Sequence, residues 1–200
     1  MAKIICFEGV HGCGKGTLID CLLKEFENNY SGKYAIIRDS EYPEFEIVKQ
    51  DIRAGRYPDA KDIISVVART RARIYTDYIN ERLMDLDVAI LDRSYYTSAV
   101  WQSDSYSAVY DIIRDNENRG IPRADMTFVL FAPIEVIMNR LISRGRPDLC
   151  EHNLATISAN QEKYLDIAKN CAECVALCTN DDPFRLAKAV YSLISANNAL

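Results

Sequence analysis

The chain has 200 residues, 24 of them Lys or Arg and 29 Asp or Glu, for a formal net charge of −5. That length suits one domain over 1–200 with a packed core, and the acidic balance argues against a nucleic-acid surface spread over the whole molecule. No apolar run approaches the ~20 residues that cross a bilayer and no leader precedes the first strand, so a cytoplasmic protein with no membrane or nucleic-acid partner is expected.

Residues 4–7, Ile-Ile-Cys-Phe, read as a central parallel strand. Gly9-Val10-His11-Gly12-Cys13-Gly14-Lys15-Gly16-Thr17 follows. Gly9, Gly14, Lys15 and Thr17 nearly spell the phosphate-cradling pattern G-x-x-x-x-G-K-[ST], with the hydroxyl displaced one residue by Gly16. Glycines let backbone N–H groups approach an anion closely, and the positive end of the next helix adds to the attraction. Lys15 is placed to bridge β- and γ-phosphates. Either Thr17 Oγ1, or Gly16 with a water in its place, faces Mg2+. Leu18, Ile19, Leu22, Leu23 and Phe26 mark a helix that residues 28–32 end.

A strand over Tyr34–Ile37 leads into a polar loop with Arg38, Asp39 and Glu41. Open α/β sheets bind ligands at that edge, so these residues either contact substrate or form a solvated loop. A short helix is expected over 44–54 and a long one over 59–84, its inner stripe being Ile63, Val67, Ile74 and Tyr78. Arg71 falls on the same stripe. A guanidinium there needs an anionic ligand or a buried acid.

The strand at 88–91 ends in Asp92-Arg93-Ser94. An acid at this place can hold Mg2+, as a Walker-B Asp does, and Arg93 suits a transferring phosphoryl group. The helix Tyr95–Gln102 puts Thr97, Ser98, Trp101 and Gln102 on one side. Gln102 can read a base edge, while Trp101 either stacks on a ligand or packs in the core. Residues 103–120 read as a broken helix and a polar loop.

After a strand over Met126–Phe131, Pro133 opens a helix with Ile134, Ile137, Met138 and Leu141 inward. Arg140 and Arg144 share another face. Arg144-Gly145-Arg146 belongs to a basic lid at about 140–152 that orders over phosphates. A helix over 153–169 buries Leu154, Ile157, Tyr164, Leu165 and Ala168, and His152 is a surface residue. Cys174–Cys178 is the last strand, and a polar loop with Asn180 and Pro183 enters the final helix. Seven cysteines, an odd count, fit a reducing compartment. Cys171, Cys174 and Cys178 have no fourth ligand nearby and read as small buried hydrophobes rather than zinc ligands.

Alternating strands and helices give a five-stranded parallel sheet covered on both faces. On Phe7-Glu8-Gly9, Gly14-Lys15-Gly16-Thr17, Asp92-Arg93-Ser94, Thr97 and Trp101-Gln102, the chain resembles the thymidylate kinase family of nucleoside monophosphate kinases over nearly its whole length. The resemblance implies a three-layer α/β/α P-loop kinase fold with a helical lid, ATP as donor, Mg2+, and phosphorylation of a monophosphate, dTMP first. It implies a donor site from residues 9–17 with Arg140, Asn180 and Pro183. It implies an acceptor site from Arg38, Glu41, Val67, Arg71, Arg93, Thr97, Ser98, Trp101 and Gln102. Lys15, Arg93, Arg144 and Arg146 would carry the chemistry, Thr17 and Asp92 the metal, and a homodimer through long helices is the family's habit.

The lid arginines, with Gly12 and Cys13 in the loop, resemble the variant whose catalytic arginine sits in the lid. The family pattern has an acid at His11, a phenylalanine at Val67 and a tyrosine at Ser94, which leaves base and sugar open. The lid also resembles that of deoxynucleoside kinases, where Glu41 or Asp39 would accept the proton of a sugar hydroxyl. A nucleotide-dependent switch is the non-enzyme alternative, and the N-K-x-D loop of guanine switches is absent: Asn180 is followed by two acids and Pro183.

Overall fold

The computed structural model describes residues 2–145 and 154–197; Arg146, His152 and most of the expected lid lie outside them. The five apolar runs are strands β1 (Lys3–Glu8), β2 (Tyr34–Ile37), β3 (Val88–Asp92), β4 (Met126–Phe131) and β5 (Cys174–Cys178). They form one parallel sheet in the order β2-β3-β1-β4-β5, with helices on both sides, as expected. β1, β3 and β4 are buried almost throughout, because strands covered on both faces have no solvent side.

The described residues group into two compact units. The first takes 2–6 and 33–124. In it β2 pairs with β3 in the register Tyr34↔Val88 to Ile37↔Leu91. Its helices are α2 (Pro43–Arg53), α3 (Ala60–Ile74), α4 (Asn80–Asp85), α5 (Tyr95–Gln102) and α6 (Tyr106–Asn118). α2 packs on α3, α3 on α5 and α5 on α6.

The second unit takes 7–32 and the described residues from 125 onward. β4 pairs with β5 from Thr127↔Cys174 to Phe131↔Cys178. Its helices are α1 (Lys15–Asn29), α7 (Ile134–Ser143), α8 (Leu154–Asn170) and α9 (Pro183–Ala196). α1 packs along α9, where the Phe26 ring meets Tyr191 edge-on at 5.2 Å, and Phe7 stacks on Phe128 at 5.3 Å.

Four expectations change. The helix over 59–84 carries a π turn, Tyr75–Ile79, between α3 and α4. Thr76 Oγ1 donates to the Ala72 carbonyl at 3.0 Å, competing with the backbone ladder there. The wider turn shifts the helical register, so Tyr75 and Ile79 are buried while Tyr78, expected on the inner stripe, is 42% exposed. Residues 103–120 hold a full helix, α6, which Ser105 starts by accepting from Ala108 N–H. Val109, Ile112 and Ile113 form its inner face. α8 buries Ile157, Asn160, Tyr164 and Ile167, and Leu154 is exposed. Cys174 is buried, but Cys178 is exposed because β5 is an edge strand.

Candidate active site

The phosphate loop belongs to the second unit. Gly9, Gly12 and Gly14 have φ of +146°, +79° and +95°. A side chain at Gly9 would place its Cβ 2.5 Å from the Leu130 carbonyl oxygen, so the loop lies against β4 without room for one. Gly14 caps α1, which has no side-chain cap and no acid in its first turn. With no acid or side-chain cap there, the positive helix end favours an anion. Lys15, half-buried, is the first helical residue, and Gly16, Thr17 and His11 are exposed. Cys13 is buried, with its N–H on the Val10 carbonyl at 3.3 Å.

Arg140, expected as a donor-site residue, grips the loop itself. Its Nη1 donates to the carbonyls of Gly12 at 3.5 Å and Cys13 at 3.2 Å, and to Thr179 Oγ1 at 3.2 Å. Its Nη2 donates to the Thr179 carbonyl at 2.7 Å. Thr179 Oγ1 also donates to the Cys13 carbonyl at 2.5 Å. A trans peptide points its C=O and the following N–H in opposite directions. Holding the Cys13 carbonyl this way therefore fixes the Gly14 N–H. The start of the loop is held too: Tyr164 hydroxyl donates to the fully buried Glu8 carboxylate at 3.2 Å.

Beside the loop, Gly14, Thr17, Arg140, Arg144, Thr179, Asp181 and Pro183 line a concavity of about 270 Å³. Asn180 is exposed and is not among the lining residues. Asp182 caps α9 by accepting from Arg185 N–H at 2.9 Å. The Asp182 N–H, followed by the Arg185 guanidinium, holds the Asp181 carboxyl below its usual range. Arg144 is exposed at the end of α7, where Gly145 closes the helix at φ +67°.

The expected acceptor residues belong to the first unit. Arg71 is 2% exposed. Its Nη1 donates to Ser98 Oγ at 2.9 Å, and its guanidinium carbon lies 5.3 Å from the Phe45 ring centre. Arg38 donates from Nε to Asp92 at 3.0 Å and from Nη1 to Glu41 at 3.0 Å. The Glu41 hydrogen bond, and then Asp92, push its pKa up. Arg93 has φ +80°, the one non-glycine residue with positive φ among those described, and donates to Thr97 Oγ1 at 3.2 Å. Trp101 and Gln102 are half-buried, and Gln102 Oε1 is a buried oxygen with no hydrogen-bond partner. Val67 is buried.

Two residues of these networks escape the motif reading. Phe45 stands out in the sequence only as an aromatic among acids, and Thr179 only as a hydroxyl at a strand end.

Known proteins add a family-level view. The sequence profile of the family described as thymidylate kinase matches residues 7–183. A probable thymidylate kinase 1 from Saccharolobus solfataricus is 29% identical over 84% of the chain and 85% of its own length. A probable thymidylate kinase from Methanothermobacter thermautotrophicus is 29% identical over 82% of the chain and 80% of its own. A thymidylate kinase from Mycoplasma pneumoniae is 23% identical over 83% and 82%.

Proposed function

This chain belongs to the thymidylate kinase family, and we propose that it transfers the γ-phosphoryl group of ATP to a nucleoside monophosphate, dTMP before others, giving dTDP and ADP. The single observation that carries the acceptor is Gln102. A buried amide oxygen without a partner is costly. With the amide nitrogen beside it, Gln102 offers the acceptor–donor pair that the N3–H and O4 edge of thymine completes.

Phosphoryl transfer of this type asks for alignment and charge neutralisation more than for acid–base chemistry. The amides at the start of α1 and Lys15 hold the donor phosphates, with Val10, His11 and Gly16 completing the cradle. Pro183, with Asn180 in the same loop, is placed for the adenine, and Arg140 serves the donor side by holding the phosphate loop. Thr17 hydroxyl and Asp92 carboxylate are each a hard oxygen ligand of the kind that suits Mg2+; either could hold the ion, which would supply positive charge to the phosphate oxygens. Arg71, Arg93 and Arg38 orient the acceptor phosphate, and Ser98 and Thr97 hold two of those guanidiniums in place. Arg144, with Arg146, neutralises charge that builds on the transferring group and keeps water from it.

The acceptor is already an anion, so no strong base is required. Glu41, one of the two acids, with Asp39, that a nucleoside kinase would use as its base, is paired with Arg38. Residues 1–200 act as one kinase domain in this reading, since the family match runs through both units. No helix among the described residues is long and apolar enough to cross a membrane. The enzyme is taken as cytoplasmic and as a homodimer, with nucleotides rather than nucleic acids as partners; sedimentation at working concentration checks the dimer.

Gln102→Leu tests the acceptor assignment. It should raise the KM for dTMP about tenfold, the loss of one good hydrogen-bonded pair, and leave the KM for ATP unchanged. An unchanged dTMP KM removes Gln102 from recognition.

A further inference from the structure

We propose that Cys171, Glu173 and Cys174 form a binding site for a thiophilic divalent cation of the Zn2+ class, on the turn between α8 and β5. The Sγ atoms of both cysteines and a carboxylate oxygen of Glu173 all lie within 4.8 Å of one another. Bonds of about 2.3 Å to sulfur and about 2.1 Å to oxygen set tetrahedral ligand atoms roughly 3.6–3.8 Å apart. A closure of about 1 Å, within the reach of χ rotations, completes three corners. The half-exposed positions of Cys171 and Glu173 leave the fourth to water.

The backbone holds the three residues in place. Cys171 N–H donates to the Ile167 carbonyl at 2.9 Å, carrying the helical ladder of α8 one residue further. Cys174 N–H donates to the Cys171 carbonyl at 3.1 Å, closing a tight turn that brings the two thiols to one side. The Glu173 carbonyl accepts from Thr127 N–H at 2.8 Å, pinning the turn to β4. Cys178, at the other end of β5, is not part of the cluster.

Two thiolates and one carboxylate select a borderline-soft cation over Mg2+, which prefers oxygen alone. Binding converts two thiols to thiolates and releases two protons to solvent, leaving a net charge of −1 on the complex. β5 places the site roughly 16 Å along the strand from Thr179, so the cation braces the strand that leads to the donor-side loop and takes no part in the transfer.

The test uses the full chain, stripped with a chelator and kept reduced, titrated with Co2+ and then Zn2+. Roughly one Co2+ per chain should bind with thiolate charge-transfer absorption, be displaced by Zn2+, and release about two protons at neutral pH. Zn2+ should also raise the Tm. Cys171→Ser should abolish the absorption and the Tm rise, Glu173→Gln should weaken binding about tenfold, and Cys178→Ser should change neither. Because Cys174 is buried, Cys171→Ser is the deciding variant and its fold is checked by kinase activity, which should stay at the wild-type level. No saturable Co2+ binding, or binding that survives Cys171→Ser, overturns the proposal.

Discussion

At the scale of single residues, the buried cation is the informative feature. Arg71 stands on a core-facing stripe in the sequence, where its charge calls for an anionic ligand or a buried acid. Its contacts in the structure include two neutral groups, Ser98 and the Phe45 ring. Ser98→Ala should cost about 2 kcal/mol, the usual worth of a hydrogen bond to a charged group, measurable by urea denaturation. It should also raise the KM for the acceptor and leave that for ATP alone. Equal effects on both substrates would make Ser98 a general packing residue. Lys15→Ala should lower turnover at least ~100-fold, since it removes charge from where phosphate charge develops; near-normal turnover would take the loop out of the mechanism. Both positions were readable in the sequence, because a lone arginine on an apolar stripe and a glycine-framed lysine are local signals. Phe45 and the orphaned Gln102 oxygen were not fully so, because contact and desolvation are properties of packing.

At the scale of elements, the clamp of Arg140 and Thr179 ties the phosphate loop to the end of β5. Its members are 128 and 39 residues apart along the chain from Arg140, and most of its bonds run from side chain to backbone carbonyl. No spacing rule reports such a contact, so the sequence offered Arg140 as a lid and donor-site cation but not as a clamp on the loop carbonyls. Thr179→Val keeps the shape and removes the hydroxyl that bonds the Cys13 and Phe131 carbonyls. It should destabilise the protein by about 1–3 kcal/mol and raise the KM for ATP several-fold while the acceptor KM stays put. A stability loss with an unchanged ATP KM would leave the clamp structural only. The π turn and α6 were missed for related reasons. One depends on a threonine hydroxyl competing with the helical ladder, and the other hides a short apolar face among Asp, Asn and Ser.

At the scale of the whole molecule, the sheet was legible because β1, β3 and β4 are covered on both faces and so appear as unbroken apolar runs. β5 was legible for its position before a polar loop, although it is exposed along much of its length. The residues proposed for the donor fall in one compact unit and those proposed for the acceptor in the other, which is why the variants above should split cleanly between the two KM values. The most direct measurement follows product formation from ATP with a panel of nucleosides and nucleoside monophosphates. dTMP should be converted to dTDP with one ADP formed for each, ahead of other monophosphates, and thymidine should not be phosphorylated. Phosphorylation of thymidine in place of dTMP, or ATP hydrolysis with no phosphorylated acceptor, would contradict the proposed transfer.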